Sequence, residues 1–324
     1  MTMLKQFSAV VLGLGNIGYR YDKQGGDRIT THAKAFSMHS GFELVAGVDT
    51  SPEACADFHE AYQLPTYTNL ERLFSEQQVD VIALAVPTCE HFSFFQKAMA
   101  FRPKAILCEK PIASNSQQAQ AMLSQAQHES VFLALNYIRP YEPATAAMIE
   151  RIRQHAFGVI QKGCVRYVKG LANNASHYIN LLLHLWGLPD AVELISAGKP
   201  GLEDPEPDFV LRWGENRIYF LALDDHYYSV SEFELWGTAG AVYYRNMGRE
   251  IVYADVAENS AFSGYKALQL QHTEATDLMR YQWYSADYLF KQLVSQVPDY
   301  RSAEMACETL IVVEKILAQL QETL

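Results

Sequence analysis

The feature that most constrains this chain is a glycine-rich turn that directly follows a short apolar segment near the N-terminus. Residues Phe7–Leu12 are mostly apolar and β-branched, which is typical of a buried parallel strand. In a G-x-G-x-x-G turn the first glycine permits the bend, the second lets backbone approach a pyrophosphate, and the third lets helix and strand pack closely. The pattern predicts a helix that opens at the turn, with its N–H groups towards the phosphates of a dinucleotide. The turn residues predicted to bind it are Gly13, Gly15, Asn16, Ile17 and Gly18.

Strands and helices are expected to alternate through the first 137 residues. Strands are predicted at Phe7–Leu12, Phe42–Val48, Thr66–Tyr67, 79–86, Ala105–Cys108 and 131–135. The helices between them are predicted at Pro52–Tyr62, Leu70–Glu76, 92–100 and 116–128. This alternation predicts an α/β fold, with a doubly wound parallel sheet of the Rossmann type in residues 1–137.

Asp49 stands at the end of the second predicted strand. An acidic side chain there accepts hydrogen bonds from an adenosine ribose diol and repels a 2′-phosphate, so we predict NAD as cofactor, in preference to NADP. Asp49 lies 31 residues after Gly18, whereas the usual spacing is about 20 residues. An insertion is therefore expected at residues 21–31. The alternative role for Asp49 is to cap the helix that starts at Pro52.

Composition limits the classes of function open to the chain. A length of 324 residues with 49% hydrophobic content suits two domains, and a net charge of −11 argues against nucleic-acid binding. No apolar stretch approaches the roughly 18 residues of a membrane span. The five cysteines lack metal-ligand spacing. We expect a soluble cytoplasmic protein with reduced, buried thiols, no bound metal and no membrane partner.

Further polar residues follow the predicted strands, where ligands of doubly wound sheets gather. They form the motifs Pro87-Thr88-x-x-His91, Glu109-Lys110-Pro111 and Asn136-Tyr137-x-Arg139. Together with the glycine turn and Asp49, these motifs stand in the order of the glucose–fructose oxidoreductase, inositol dehydrogenase and MocA (Gfo/Idh/MocA) family. The chain resembles this family of NAD(P)-dependent sugar oxidoreductases nearly from end to end.

The resemblance implies hydride transfer at a hydroxyl carbon of a sugar, cyclitol or nucleotide sugar. It makes Lys110 the lysine of the catalytic centre, where an ammonium stabilises a developing alkoxide. A surface Glu–Lys pair is the alternative. The peptide bond before Pro111 is expected to be cis, as in relatives. The remaining cofactor contacts implied are Pro87, Thr88, His91, Glu109 and Lys110.

Residues 138–324 resemble the family's second domain, which binds substrate and forms homodimers or homotetramers through an open, mostly antiparallel sheet. His177 matches the family histidine, which exchanges a proton with the substrate hydroxyl; the alternative is a helix histidine whose hydrogen bonds are satisfied within the protein. Asn173 and Asn180 replace the usual aspartates and cannot accept a proton. This segment is similar to that of a branch associated with bacterial surface polysaccharides. The substrate-binding residues implied are Asn136, Tyr137, Arg139, Lys169, Asn173, Asn174 and Asn180.

The end of the chain is expected to contain antiparallel strands and then two closing helices, 268–297 and 301–324. Aromatic residues on the strands are expected in the core and on an oligomer face. Two other functions stay open. One is a non-enzymatic sensor that binds a dinucleotide and a partner protein, and the other is an enzyme that keeps NAD bound and recycles it between two sugars.

Overall fold

The structure is a computed structural model that describes residues 6–297 and 299–323. The chain divides into two compact units. The first contains the described residues up to Tyr141 together with those of 279–307, and the second contains residues 142–278 and those from Glu308 onward. The domain boundary was expected after residue 137. In the structure the first unit runs to Tyr141 and also includes the later segment 279–307.

The described residues form strands and helices in the following order. The strands are β1 (Phe7–Leu12), β2 (Phe42–Val48), β3 (Thr66–Tyr67), β4 (Val81–Leu84), β5 (Ala105–Cys108), β6 (Phe132–Leu135), β7 (Ile160–Tyr167), β8 (Ala191–Ser196), β9 (Asp208–Trp213), β10 (Asn216–Ala222), β11 (Ser231–Gly237), β12 (Gly240–Arg245), β13 (Glu250–Glu258) and β14 (Lys266–Ala275). The α-helices are α1 (His32–Met38), α2 (Pro52–Tyr62), α3 (Leu70–Glu76), α4 (Thr88–Met99), α5 (Ser116–Glu129), α6 (Pro143–Arg153), α7 (Ser176–Trp186), α8 (Tyr281–Ser295) and α9 (Arg301–Thr323).

The first unit is built on a six-stranded parallel sheet in the order β3-β2-β1-β4-β5-β6. This is the strand order of the dinucleotide-binding Rossmann fold, and it confirms the predicted fold class. The buried strands β4, β5 and β6 read as continuous apolar segments because helices cover both faces of such a sheet. From α8, Phe290 packs against Phe7 and Phe42, with ring centroids 6.2 and 6.0 Å apart.

The helix predicted to open at the glycine turn is interrupted. The chain makes one turn, in which the Tyr19 N–H donates to the Gly15 carbonyl at 3.1 Å, and then leaves in a loop. It returns at the start of α1, where the His32 N–H donates to the Ile17 carbonyl at 3.1 Å. The insertion expected from the spacing therefore lies inside the helix, and the α1 N–H groups that were expected to face phosphates are partly used by the turn itself.

The loop of the insertion is held at its base by a buried acid. The Asp22 carboxylate accepts hydrogen bonds from the N–H and the hydroxyl of Thr30, both at 2.7 Å. These bonds close the loop on itself, so that α1 resumes at a defined position.

The second unit contains an eight-stranded sheet in the order β14-β13-β12-β11-β7-β10-β9-β8. Only the β7–β10 pair is parallel among these described pairings, so the expected mostly antiparallel sheet is confirmed. Tyr178 anchors α7 on this sheet through ring contacts with Phe233 and Tyr244 and a 3.1 Å hydrogen bond from the Ser231 hydroxyl.

The predicted helix over 268–297 is wrong in its first part. Lys266–Ala275 forms β14, and the helix begins only at Tyr281. Leu, Gln, Lys and Ala are good helix formers, so local preference favoured a helix, but the ladder of β13 offers backbone partners along the whole segment. None of the helices in the described parts of the chain is both long and apolar enough to cross a bilayer.

Candidate cofactor and active site

A cavity of about 610 Å³ opens in the first unit beyond the carboxyl ends of β1, β2 and β4. Ligands of doubly wound sheets bind at this edge. Its lining consists of apolar side chains, backbone atoms and polar side chains, among them the carboxylate of Asp49, which was predicted from the sequence to bind cofactor. The predicted cofactor residues in the lining are Gly13, Gly15, Asn16, Ile17, Asp49 and Pro87.

The three glycines of the turn have different surroundings. Gly13 has φ +99°, and a Cβ there would lie 2.5 Å from the backbone of Ala85. A Cβ on Gly18 would lie 2.1 Å from the Gly13 carbonyl oxygen, so Gly18 packs beneath the turn. A Cβ on Gly15 would meet no atom within 4 Å. Gly15 therefore leaves open space for a ligand at the backbone, as a pyrophosphate requires, and the cavity fits a dinucleotide.

Asp49 fixes the glycine turn as well as facing the cavity. Its Oδ2 accepts the Leu14 N–H at 2.8 Å, and its Oδ1 accepts the Ser51 N–H at 2.8 Å. Ser51 is the N-cap of α2, with its side chain accepting from Ala54 N–H, so the alternative role of Asp49 as that cap is wrong. Each carboxylate oxygen retains a second lone pair that can accept a ribose hydroxyl.

Several lining residues were not identified from the sequence. Tyr21, from the insertion, is 62% exposed at this cavity and is the most distinctive of them, because an exposed aromatic ring can cover a bound nucleotide. The position of the insertion was the one sequence signal that could have found it. The other unassigned polar or aromatic lining residues are Thr50, Thr68, Asn69, Glu90 and Phe94.

His91 is enclosed by backbone. It is 1% exposed, with Nδ1 2.9 Å from the Pro111 carbonyl and Nε2 2.9 Å from the Val86 carbonyl. Burial lowers its pKa, against the effect of these hydrogen bonds. The imidazole thus lies between the loops after β4 and β5, and its neutral form donates to one of the two carbonyls. Thr88 begins α4 directly after Pro87.

Glu109 and Lys110 follow β5, and the peptide bond between Lys110 and Pro111 is cis, as predicted. The Glu109 Oε1 lies 2.9 Å from His32 Nε2 and accepts from Asn136 Nδ2 at 2.6 Å. Burial alone would raise the pKa of Glu109, but the hydrogen bonds from His32 and Asn136 and nearby positive charge lower it overall. Glu109 is therefore an anion at neutral pH, and its carboxylate is hydrogen-bonded to buried side chains of the first unit.

The motif after β6 is buried too. The Asn136 amide donates to Glu109 and accepts from the Ser285 hydroxyl at 2.6 Å, and the residue is 1% exposed. Tyr137 is buried, and Arg139 is buried in a short 3₁₀ turn, Arg139–Tyr141.

In the second unit, the segment before His177 forms a π-helical turn, Leu171–Ala175, that leads into α7. The side-chain amides of Asn173 and Asn174 donate to the carbonyls of Lys169 (3.1 Å) and Val168 (2.8 Å). These two amides therefore hold the turn. Lys169 is exposed and has φ +63°.

Two acids that the sequence did not reveal hold the same turn. Asp204 accepts the N–H groups of Ala172 at 3.0 Å and Asn173 at 2.8 Å, and Glu206 accepts the Gly170 N–H at 3.0 Å. Their positions more than 30 residues later in the chain gave no local signal.

His177 and Asn180 lie one turn apart on α7, and both are buried. The Asn180 Nδ2 donates to the Thr309 hydroxyl at 3.1 Å. Its Oδ1 is buried and has no hydrogen-bond partner within residues 6–297 and 299–323. A buried carbonyl oxygen of this kind can accept a hydrogen bond from a ligand hydroxyl.

The burial of the cysteine thiols agrees only partly with the prediction that they are buried. Cys55, Cys108 and Cys307 are buried, but Cys89 is exposed and Cys164 is half-buried, so the prediction of buried thiols is wrong for these two. Cys89 lies in the first turn of α4, which is solvent-facing there, and Cys164 lies on a strand with one open face.

Comparison with known proteins agrees with this site. Residues 7–137 match the profile of the Gfo/Idh/MocA family, described as an oxidoreductase family with an NAD-binding Rossmann fold. The chain is 26% identical over 148 residues to UDP-N-acetylglucosamine 3-dehydrogenase of Acidithiobacillus ferrooxidans, and 27% identical over 151 residues to inositol 2-dehydrogenase of Rhizobium meliloti. These matches cover 46% and 47% of this chain but only 41% and 42% of the relatives.

Similarity of fold extends over both units. The structure of KijD10, a 3-ketoreductase from Actinomadura kijaniata in complex with NADP, has a TM-score of 0.76 and 13% sequence identity, over 97% of each chain. At that identity the likeness shows the fold alone. The matched profile and the two relatives confirm the resemblance found in the sequence: residues 7–137 are similar to the NAD-binding Rossmann segment of the Gfo/Idh/MocA oxidoreductase family.

Proposed function

We propose that this protein is an NAD(H)-dependent oxidoreductase that acts on a hydroxyl carbon of a sugar, cyclitol or nucleotide sugar. The observation that carries the proposal is that six residues predicted to bind cofactor line one cavity beyond the strands of a Rossmann sheet. The two relatives, which are named as dehydrogenases of a nucleotide sugar and a cyclitol, support the substrate class.

The cofactor half of the proposal rests on Gly15 and Asp49. The open face of Gly15 gives room for a pyrophosphate, and the Asp49 carboxylate accepts ribose hydroxyls but repels a 2′-phosphate. We therefore favour NAD, although a protein of the same fold was solved with NADP. When bound, NAD supplies a hydride acceptor or donor at its nicotinamide ring.

The proton half rests on Lys110 and His177. The Lys110 ammonium donates a hydrogen bond to the reacting oxygen and stabilises negative charge that develops on it. A neutral His177 imidazole takes or returns the hydroxyl proton. Asn180, which stands where the family has an aspartate, accepts a substrate hydroxyl through its buried Oδ1 but takes no proton.

Substrate contacts are proposed for further residues near these groups in the sequence. Tyr137, Arg139 and Lys169 are the candidates, whereas Asn136, Asn173 and Asn174 act by holding their neighbours, since their amides bond to the protein itself. A place in bacterial surface-polysaccharide metabolism is proposed on the likeness of the Lys169–His177 segment alone.

We also propose a homodimer or homotetramer formed through the sheet of the second unit. Strand β14 lies at the edge of that sheet, and its Leu268 and Leu270 side chains are 44% and 65% exposed. An exposed edge strand with apolar side chains is a typical site for association with another chain.

The test begins with titration of the purified protein with NADH and NADPH, followed by nicotinamide fluorescence. We expect NADH to bind more tightly, and Asp49→Ser to weaken NADH binding about 10-fold. Oxidation of a panel of sugars, cyclitols and nucleotide sugars is then measured with NAD. Lys110→Ala should lower turnover at least about 100-fold with NADH affinity unchanged, while Lys162→Ala, at an exposed lysine, should leave both unchanged.

Each failure has a separate meaning. If neither nucleotide binds, the proposed function falls. If Lys110→Ala retains turnover, the role of Lys110 falls but the enzyme class stands. Tight NADH binding with no turnover of any substrate would favour the non-enzymatic sensor instead.

A further inference from the structure

Five polar side chains are enclosed together in the first unit, directly behind Lys110. They come from the first residue of α1, the ends of β5 and β6, and α8. Burying polar groups costs free energy unless they are hydrogen-bonded to one another, and each of these side chains has a partner within the cluster. The members are His32, Glu109, Asn136, Gln282 and Ser285.

One carboxylate oxygen is the centre of this cluster. The Glu109 Oε1 meets His32 Nε2 at 2.9 Å and Asn136 Nδ2 at 2.6 Å. Asn136 also donates to the Gln282 Oε1 at 2.8 Å and accepts from the Ser285 hydroxyl at 2.6 Å. The other oxygen, Oε2, accepts the backbone N–H of Lys110 at 3.3 Å. The carboxylate is thus held through one oxygen by His32 and Asn136, and its other oxygen contacts the backbone of Lys110.

We propose that His32 is a positioning residue for Lys110, which it orients through Glu109. This rests on the proposed function, in which Lys110 contacts the reacting oxygen. His32 and Asn136 hold the Glu109 carboxylate in one orientation, and its charge attracts the Lys110 ammonium. Without His32 the carboxylate loses a donor and its fixed direction, so the ammonium loses its fixed neighbour.

The charges around Glu109 agree with this role. Besides His32 and Lys110, the titratable groups that face the carboxylate are His91, Cys108 and Tyr281. Burial raises the pKa of Cys108 and Tyr281 and lowers that of His91, so all three are uncharged at neutral pH. The one acidic group in this cluster is therefore Glu109, whose pKa is lowered by His32 and Lys110.

The insertion explains how His32 reaches this position. The Ile29 N–H donates to the Met279 carbonyl at 3.1 Å, and the Gln282 N–H donates to the Ile29 carbonyl at 3.2 Å. The Tyr281 hydroxyl donates to the Thr30 carbonyl at 3.0 Å. These bonds fasten the end of the loop to the start of α8, so that the first residue of α1 enters between the glycine turn and Glu109.

The chain offers a matched control for His32. His39 directly follows α1 and is also buried against an acid, with Nε2 3.4 Å from the Asp287 Oδ1. It packs on Trp283 and Phe290 instead of facing Glu109. Removing His39 therefore removes a buried histidine–carboxylate pair of the same unit without touching the cluster.

The experiment follows the titration of Lys110 by NMR. The lysines of the full chain are labelled by reductive ¹³C-methylation, and the Lys110 signal is assigned as the one missing from Lys110→Arg. The midpoint pH of the Lys110 titration is then measured in wild type and variants. Loss of a unit charge a few ångströms away should lower the Lys110 midpoint in Glu109→Gln by about one pH unit or more. His32→Leu should lower the Lys110 midpoint by about half a pH unit. His32→Gln restores a hydrogen-bond donor and should bring the midpoint back to the wild-type value. His39→Leu should leave the midpoint unchanged.

The contrary outcomes are distinct. An unchanged midpoint in Glu109→Gln, or equal shifts in His32→Leu and His39→Leu, overturns the proposal. If His32→Leu does not fold, Glu109→Gln and His32→Gln decide, and a lowered midpoint is expected in the first of them only. The readout needs neither cofactor nor turnover. If NADH does not bind but the Lys110 midpoints shift as expected, the proposed function alone is overturned. If turnover depends on Lys110 but the midpoints do not shift, the positioning role of His32 alone is overturned.

Discussion

The loop after β1 and the loop after β7 each carry predicted site residues, and they begin and end alike. The loop after β1 contains Gly13 with φ +99° and leads to His32 in the first turn of α1. The loop after β7 contains Gly170 with φ +94° and leads to His177 in the first turn of α7. Each therefore delivers a buried histidine from a strand through a glycine in the left-handed region.

The loops differ in what occupies the space beside their backbone. Gly15 in the first loop faces open space within a cavity. In the second loop, a Cβ on Gly170 would lie 1.9 Å from the Asp204 carboxylate, and the nearby N–H groups bond to Asp204 and Glu206. The first loop can take an anionic ligand against its backbone, whereas acids of the protein already occupy that place in the second. The N–H groups of Gly170, Ala172 and Asn173 are therefore not open to a ligand.

The largest effect should come from Gly13→Ala. Its Cβ would lie 2.5 Å from backbone atoms of Ala85, which cannot move aside as a side chain can, and the positive φ adds strain. We expect a loss of at least about 3 kcal/mol in the free energy of unfolding, measured by urea denaturation, and loss of NADH binding.

Two glycines of the same stretch serve as controls for Gly13. Gly25→Ala has a positive φ but no atom within 4 Å, and should cost only about 1 kcal/mol. Gly15→Ala should leave stability within about 0.5 kcal/mol and weaken NADH binding at least about 10-fold. Unchanged binding in Gly15→Ala would mean that the first loop does not receive the cofactor, and the contrast between the loops would disappear.

A smaller effect is expected from Asp204→Ala in the second loop. The change leaves the N–H groups of Ala172 and Asn173 without their acceptor, which should cost about 1–2 kcal/mol of stability. NADH affinity should not change. Thermal unfolding checks the first expectation, with Glu203→Ala at the neighbouring exposed acid as control. A weaker NADH affinity would instead connect the second loop to cofactor binding.

The smallest effect concerns the pH dependence of stability and comes from His91, at the same strand edge as the first loop. The pKa of His91 is lowered in the folded protein by burial, so the unfolded chain binds a proton more readily. Stability should therefore be fully present above pH about 6.5 and fall as the pH drops below it, by at most about 1.4 kcal/mol per pH unit. Denaturation at pH 7.5 and 5.5 should show this loss in wild type and a smaller one in His91→Asn. Equal losses would contradict the role of His91.

Much of the first unit could be predicted because its signals are local. The bounds of β1, β2, β3, α2 and α3 follow from short apolar segments with caps such as Ser51 and Asn69 at their ends. The motif residues of the cofactor cavity were identifiable for the same reason, since parallel strands bring their carboxyl ends to one edge. The cis bond at Pro111 agrees with the resemblance.

Other features depended on partners far away in the chain. Lys266–Ala275 is a strand because β13 is beside it, although its residues favour a helix. Asp204 meets Asn173 across 31 residues, and His32 meets Glu109 across 77. Neither of these two side-chain contacts could be predicted from the residues next to them in the sequence.

The sequence by itself determined the Rossmann sheet, its cofactor edge and the identity of the candidate chemical groups, because periodicity, glycine spacing and strand ends act within a few residues. Only the tertiary structure decided which of those groups face a cavity and which are used to hold the fold. His91, Asn136, Asn173 and Asn174 belong to the second kind. The reason is that hydrogen-bond partners of buried groups are chosen by packing, which brings together residues that the chain keeps apart.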